Sequence, residues 1–100
     1  MKYIESRYIF DGMTAIQMLT DEGEPWCTVS VNLSDYGLVP QDSDHIFIPL
    51  YKLDDETVQT ILNDLVEEVE KEVCIGYNDS YKCAYVRLKD DWRERCEVRV

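Results

Sequence analysis

The chain of 100 residues is long enough to bury about 60 to 70% of its unfolded surface as one domain, residues 1–100, and too short for two. Its 21 acidic and 10 basic side chains give a net charge of −11, which disfavours direct contact with nucleic acid or an anionic membrane; residues 1–79 hold 17 of the acids and only 4 of the bases. No run approaches the roughly 18 apolar residues of a membrane span and MKYIESRYIF lacks the apolar stretch of a signal peptide, so a cytoplasmic setting with reduced thiols is expected.

Residues 2–10, rich in tyrosine and isoleucine, read as a first strand closed by a turn at Asp11 and Gly12. Residues 14–20 and 26–33 are two β-prone runs joined by the polar loop Asp21-Glu22-Gly23-Glu24-Pro25, as in a hairpin. Alternation in the second run puts Cys27, Val29, Val31 and Leu33 on a buried face and Trp26, Thr28, Ser30 and Asn32 on the other. Residues 34–44 are a loop by their Gly, Pro, Asp and Ser content, and HIFIPLY (45–51) is a short apolar strand that Pro49 ends or places at an edge.

The period then changes. Val58, Ile61, Leu62, Leu65, Val66, Val69 and Val73 follow the spacing of an amphipathic helix, with Asp54 or Asp55 as its N-cap. Residues 73–77 and 81–88, around a turn at Asn78-Asp79-Ser80, and residues 95–100 read as C-terminal strands. The expectation is an α+β domain: a mainly antiparallel sheet of about five to seven strands with one long amphipathic helix packed on one face.

Little in the sequence points to catalysis or cofactors. His45 is the sole histidine and reads as a loop-edge residue bonded to Asp42 or Asp44, or solvated, without a nucleophile arranged beside it. Cys27, Cys74, Cys83 and Cys96 lack the close Cys-x-x-Cys spacing of a zinc site, and Cys27, Cys83 and Cys96 fit buried strand positions. Asp42-Ser43-Asp44 lacks the glycine and terminal glutamate of a calcium loop, and the four glycines form no phosphate loop. A non-enzymatic chain with no metal and no cofactor is expected.

The strand Ala15-Ile16-Gln17, the turn Gly23-Glu24-Pro25, Val31-Asn32-Leu33 and Ile46-Phe47-Ile48 resemble, over residues 14–75, a family of small bacterial proteins of unknown function carried on phages, conjugative elements and gut-bacterial genomes. The chain departs from that pattern after Ile48, where Pro49-Leu50-Tyr51-Lys52 replaces a more polar segment. The family has no assigned activity, so the resemblance implies only a bacterial, mobile-element, cytoplasmic context.

The segment DDETVQTILNDLVEEVEKE (54–72) holds eight acids and one lysine. As a helix, its first acids cap and complement the macrodipole, whereas Glu67, Glu68, Glu70 and Glu72 near its C-terminal end cost roughly 1 kcal/mol, a penalty that suggests a use. Outward acids from Glu56 to Glu70 would span ~21 Å, about one charge every 4 Å, close to one DNA strand at ~3.4 Å. Asp64, Glu67, Glu68, Glu70 and Glu72, with the interface-type tyrosines Tyr77, Tyr81 and Tyr85, are therefore the expected partner-binding residues. The expected partner is a protein with a basic surface. The function classes that follow are an acidic inhibitor of a nucleic-acid-binding protein (anti-restriction or anti-CRISPR), a toxin-neutralising immunity protein, or a housekeeping interaction domain. Pairing of the acids with Arg93, Arg95 or Arg99 would instead make the segment internal structure.

Overall fold

A computed structural model describes residues 1–98. Arg99 and Val100, the end of the last expected strand, lie outside the described residues. The chain is α+β: seven strands in two mostly antiparallel sheets and one helix of 11 residues. Strands β1 (Lys2–Arg7), β2 (Thr14–Leu19), β3 (Pro25–Thr28) and β7 (Cys96–Val98) make the first sheet in the order β3-β2-β1-β7, where β7 runs parallel to β1. Strands β4 (His45–Ile48), β5 (Val66–Ile75) and β6 (Tyr81–Leu88) make the second, in the order β4-β6-β5. The sequence suggests one sheet; the chain builds two.

The segment after β3 explains the division. Val29 donates to Ile16 O in the first sheet, and Val31 then bridges to Phe47 in the second, so one extended run crosses between sheets. Its expected inward face holds: Val29 and Leu33 are buried and Cys27 and Val31 half-buried. Ser30 is the exception, buried because its hydroxyl accepts Ile16 N–H at 3.0 Å and bonds the Tyr8 hydroxyl at 2.8 Å.

Between the sheets lies the main core, with Tyr3, Ile16 and Met18 from one side, Ile46, Ile48, Val86 and Leu88 from the other, and Trp92 beneath. Helix α1 (Asp55–Leu65) adds Ile61 and Leu65, whose burial is worth about 1.5 to 3 kcal/mol each. A second apolar cluster, Leu33, Phe47, Ile75, Cys83 and Tyr85, occupies the opposite face of the second sheet. All four β4 residues are buried, consistent with a strand sandwiched between the two clusters.

The helix begins as the sequence suggests: the Asp54 carboxylate accepts Thr57 N–H at 2.7 Å, and that bonding holds its carboxyl below the usual range. It ends far earlier. Val66, expected in mid-helix, is already extended and opens β5, with no loop between the two elements. Lys89 completes the junction, its N–H donating to Leu65 O at 2.8 Å and its ammonium to Asn63 O at 2.6 Å. The penalty that Glu67 to Glu72 would impose on a helix is thus a reason they are not in one, and three β-branched valines favour the strand.

Candidate interaction surfaces

Strand β5 carries most of the acids expected to bind a partner, so its geometry decides their availability. It pairs along its length with β6, with one extra residue inserted between Val66 and Glu68 and another between Val69 and Lys71. The first bulge sets Val66 opposite Leu88 and Val69 opposite Val86 on one face, and the second leaves Val73 opposite Cys83 on the other. The acids therefore cannot form a helical charge line of one per ~4 Å along one face.

They also face bases. Arg87 on β6 reaches Glu68 at 3.4 Å and Glu70 at 3.9 Å, and Lys82 reaches Glu72 at 3.7 Å. Lys71 sits 5.4 Å over the Tyr85 ring. Asp64, on α1, accepts the Tyr3 hydroxyl at 2.7 Å; burial and that carboxylate push the Tyr3 phenol strongly up. Glu67, at a bulge, enters no ion pair among the described residues. The bases that meet the segment are Arg87 and Lys82, not Arg93 or Arg95, while Arg99 lies outside the described residues. Arg93 instead binds Asp44 at 3.3 Å and Glu5 at 3.6 Å, stacked on Trp92, and Arg95 pairs with Asp91 at 3.7 Å.

His45 is not at a solvated loop edge. Only 2% of it is exposed; Nδ1 lies 2.7 Å from Asp42 and Nε2 3.0 Å from Glu70, with the ring stacked on Tyr85. Carboxylates only accept, so the ring satisfies both partners by donating from both nitrogens as an imidazolium. Burial alone would lower its pKa; the hydrogen bonds and charges of Asp42 and Glu70 outweigh that and raise it, while the His45 bond lowers Asp42. The Asp42 contact fits the sequence expectation. Glu70, a residue expected to bind a partner, bonds the buried His45 inside the fold.

Of the three tyrosines, Tyr77 and Tyr81 are exposed, whereas Tyr85 is buried against Phe47 and accepts Gln41 N–H at 2.9 Å, so its ring offers no surface. Tyr51, which sequence reasoning passed over, packs on Tyr81 with ring centres 4.8 Å apart. Gly76 at φ +80° lets the Tyr81 ring close over the backbone, since a Cβ there would lie 2.3 Å from it.

Two further surfaces went unread in the sequence. Trp26, 56% exposed, lines a groove of about 340 Å³ between the β2–β3 hairpin and the start of α1, together with Met18, Thr20, Asp54, Glu56 and Thr60. Asp54 and Glu56 are the acids that line it, and Asp21, Glu22 and Glu24 lie in the hairpin loop that leads to Trp26. Lys2 and the terminal amine, bound to Asp21 at 2.8 Å, are the cations beside it. Glu22, Glu24, Asp55 and Glu56 enter no ion pair among the described residues. The other surface is the tip of the β1–β2 hairpin, where Ile9 and Phe10 stand out from the protein.

Cys83 is fully buried and Cys27 and Cys96 half-buried, with burial raising each thiol's pKa, to about 11 for Cys96. No three His, Cys, Asp or Glu side chains among the described residues are placed to hold a metal ion, and no helix there is long and apolar enough to cross a membrane. Comparison of the chain with protein-family models, with curated proteins and with solved structures returned no match.

Proposed function

We propose that this chain is a non-enzymatic protein-binding module of bacterial or mobile-element origin whose partner is a protein with a basic surface, in the manner of an acidic inhibitor of a nucleic-acid-binding protein. The observation that carries this reading is the half-exposed Trp26 in a groove lined by Asp54 and Glu56, near in sequence to Glu22, Glu24 and Asp55; of these acids, Glu22, Glu24, Asp55 and Glu56 enter no ion pair among the described residues. An indole face flanked by carboxylates suits arginine or lysine side chains, by cation–π attraction and by charge. Three of the four acids of β5, Glu68, Glu70 and Glu72, have partners inside the fold, which favours this groove over β5 as the binding face.

The test is affinity capture from bacterial lysate at low and high salt. A basic protein should be held at low salt, be released at high salt, and be displaced by added nucleic acid. Glu22→Gln, Glu24→Gln, Asp55→Asn and Glu56→Gln together should abolish that capture, while Glu67→Gln, Glu68→Gln and Glu72→Gln together should leave it. Capture that ignores both salt and the rim substitutions would overturn the reading. The stacked pair of Tyr51 and Tyr81, together with the exposed Tyr77, favours a second one, an immunity or housekeeping partner held by aromatic contact; it predicts salt-tolerant capture lost on Tyr77→Ala with Tyr81→Ala.

A further inference from the structure

Glu70 is the extra residue at the second bulge of β5: Val69 stands opposite Val86 and Lys71 opposite Tyr85, and Glu70 between them has no counterpart on β6. A bulge re-aims a side chain. Here it turns Glu70 onto the face of Tyr85 and Arg87, where it reaches across the central strand β6 to His45 on β4, 3.0 Å away. Glu70 thereby clasps the two outer strands of the second sheet, which share no ladder.

The clasp depends on one proton. Around the ring stand Asp42 of the preceding loop at 2.7 Å, Glu70 of β5, and Arg87 opposite His45 on β6, with Tyr85 stacked on the ring and Lys71 over Tyr85. Asp44, next to His45 in the chain, is turned to Trp92 and Arg93. As an imidazolium the ring donates to both carboxylates; as a neutral ring it has one N–H and presents a lone pair to the other carboxylate. Three observations decide which carboxylate loses its donor. The Asp42 bond is the shorter, and Asp42 is held in place by Asp44 N–H at 2.9 Å. His45 is the one cation paired with Asp42 among the described residues. Glu70 has Arg87 Nε at 3.9 Å as an alternative, and 30% of its side chain already meets water. The remaining proton therefore stays on Nδ1, and Glu70 is the carboxylate that leaves.

We propose that His45 and Glu70 form a proton-controlled clasp on the β5 edge. With the imidazolium, Glu70 ties the bulge to β4; with the neutral ring, Glu70 turns to Arg87 and water, and the bulge opens locally while the rest of the fold stays closed. Nitrogen-15 NMR of the full chain through the His45 titration tests it. The neutral ring should be the Nδ1–H tautomer. Amide exchange at residues 69–71, corrected for its intrinsic rate, should rise roughly tenfold or more relative to β2 once the ring is neutral. A side-chain amide can accept from Nε2–H or donate to the bare nitrogen, so Glu70→Gln should remove that rise. An Nε2–H tautomer overturns the proposal. So does exchange at residues 69–71 that keeps step with β2, or a rise that persists in Glu70→Gln.

Discussion

At the scale of single residues, His45 joins parts of the fold that are distant in sequence. Its imidazolium ties the loop residue Asp42 to Glu70 on β5, and Tyr85, stacked on the ring, holds Gln41 of the same loop. Because the folded pKa is raised above the ordinary 6.5, the stabilisation is fully present below that value and is lost as pH climbs through the folded pKa. Asp42 has the opposite sign: its lowered pKa contributes stability above the ordinary 3.8, lost as pH falls through the folded value. Urea unfolding should therefore show stability declining as pH rises from 6.5, and His45→Gln, about 1 to 2 kcal/mol less stable on the acid side, should lack that decline. A wild-type profile flat across that range would refute the charged bridge. The Asp42 bond was legible because three residues separate the partners. The Glu70 bond was not, because it exists only once β5 has paired with β6. Tyr85 shows the same limit: alternation places it on a face with Cys83, but which face is covered depends on a loop far along the chain.

At the scale of elements, β5 is where sequence pattern and structure part. Val66, Val69 and Val73 are spaced as in a helix; in the strand the first bulge keeps Val66 and Val69 on one face, opposite Leu88 and Val86, whereas Val73 pairs with Cys83 on the other. The deciding terms were present in the composition: β-branched residues and an acidic run that a helix C-terminus opposes. By contrast, residues 81–88 are a β-prone run after a turn and form β6 as expected, buried on both faces at Cys83 to Val86, and Asp54 caps α1 because a cap is a local signal. The strand also gives the acids a structural use. β5 is a ten-residue edge strand, and charges and bulges along an edge discourage another strand from pairing with it. Glu67→Val with Glu72→Val should leave thermal stability within about 1 kcal/mol, yet convert a monodisperse sample into one that aggregates on heating, read by light scattering. Aggregation no greater than in wild type would remove edge protection as the reason for the acidic run.

At the scale of the whole molecule, the charge of −11 acts on folding and on the proposed capture of a basic partner, and salt separates the two. Folding gathers the excess acids, so screening their repulsion stabilises the folded chain. The ion pairs on β5 and β6 oppose that gain, but exposed pairs such as Lys82–Glu72 contribute only about 0 to 1 kcal/mol each. Repulsion should therefore win. The proposed capture of a basic partner at the Trp26 rim is attractive and would weaken with salt. Raising ionic strength from ~0.01 M to ~1 M, where the screening length falls from about 30 to 3 Å, should raise the urea midpoint of the chain. The same change should release the proposed basic partner. A urea midpoint that falls with salt would mean that internal ion pairs, not excess acids, dominate the electrostatics of this fold. The rim acids would then have lost their claim to be the unbalanced charge that a partner completes.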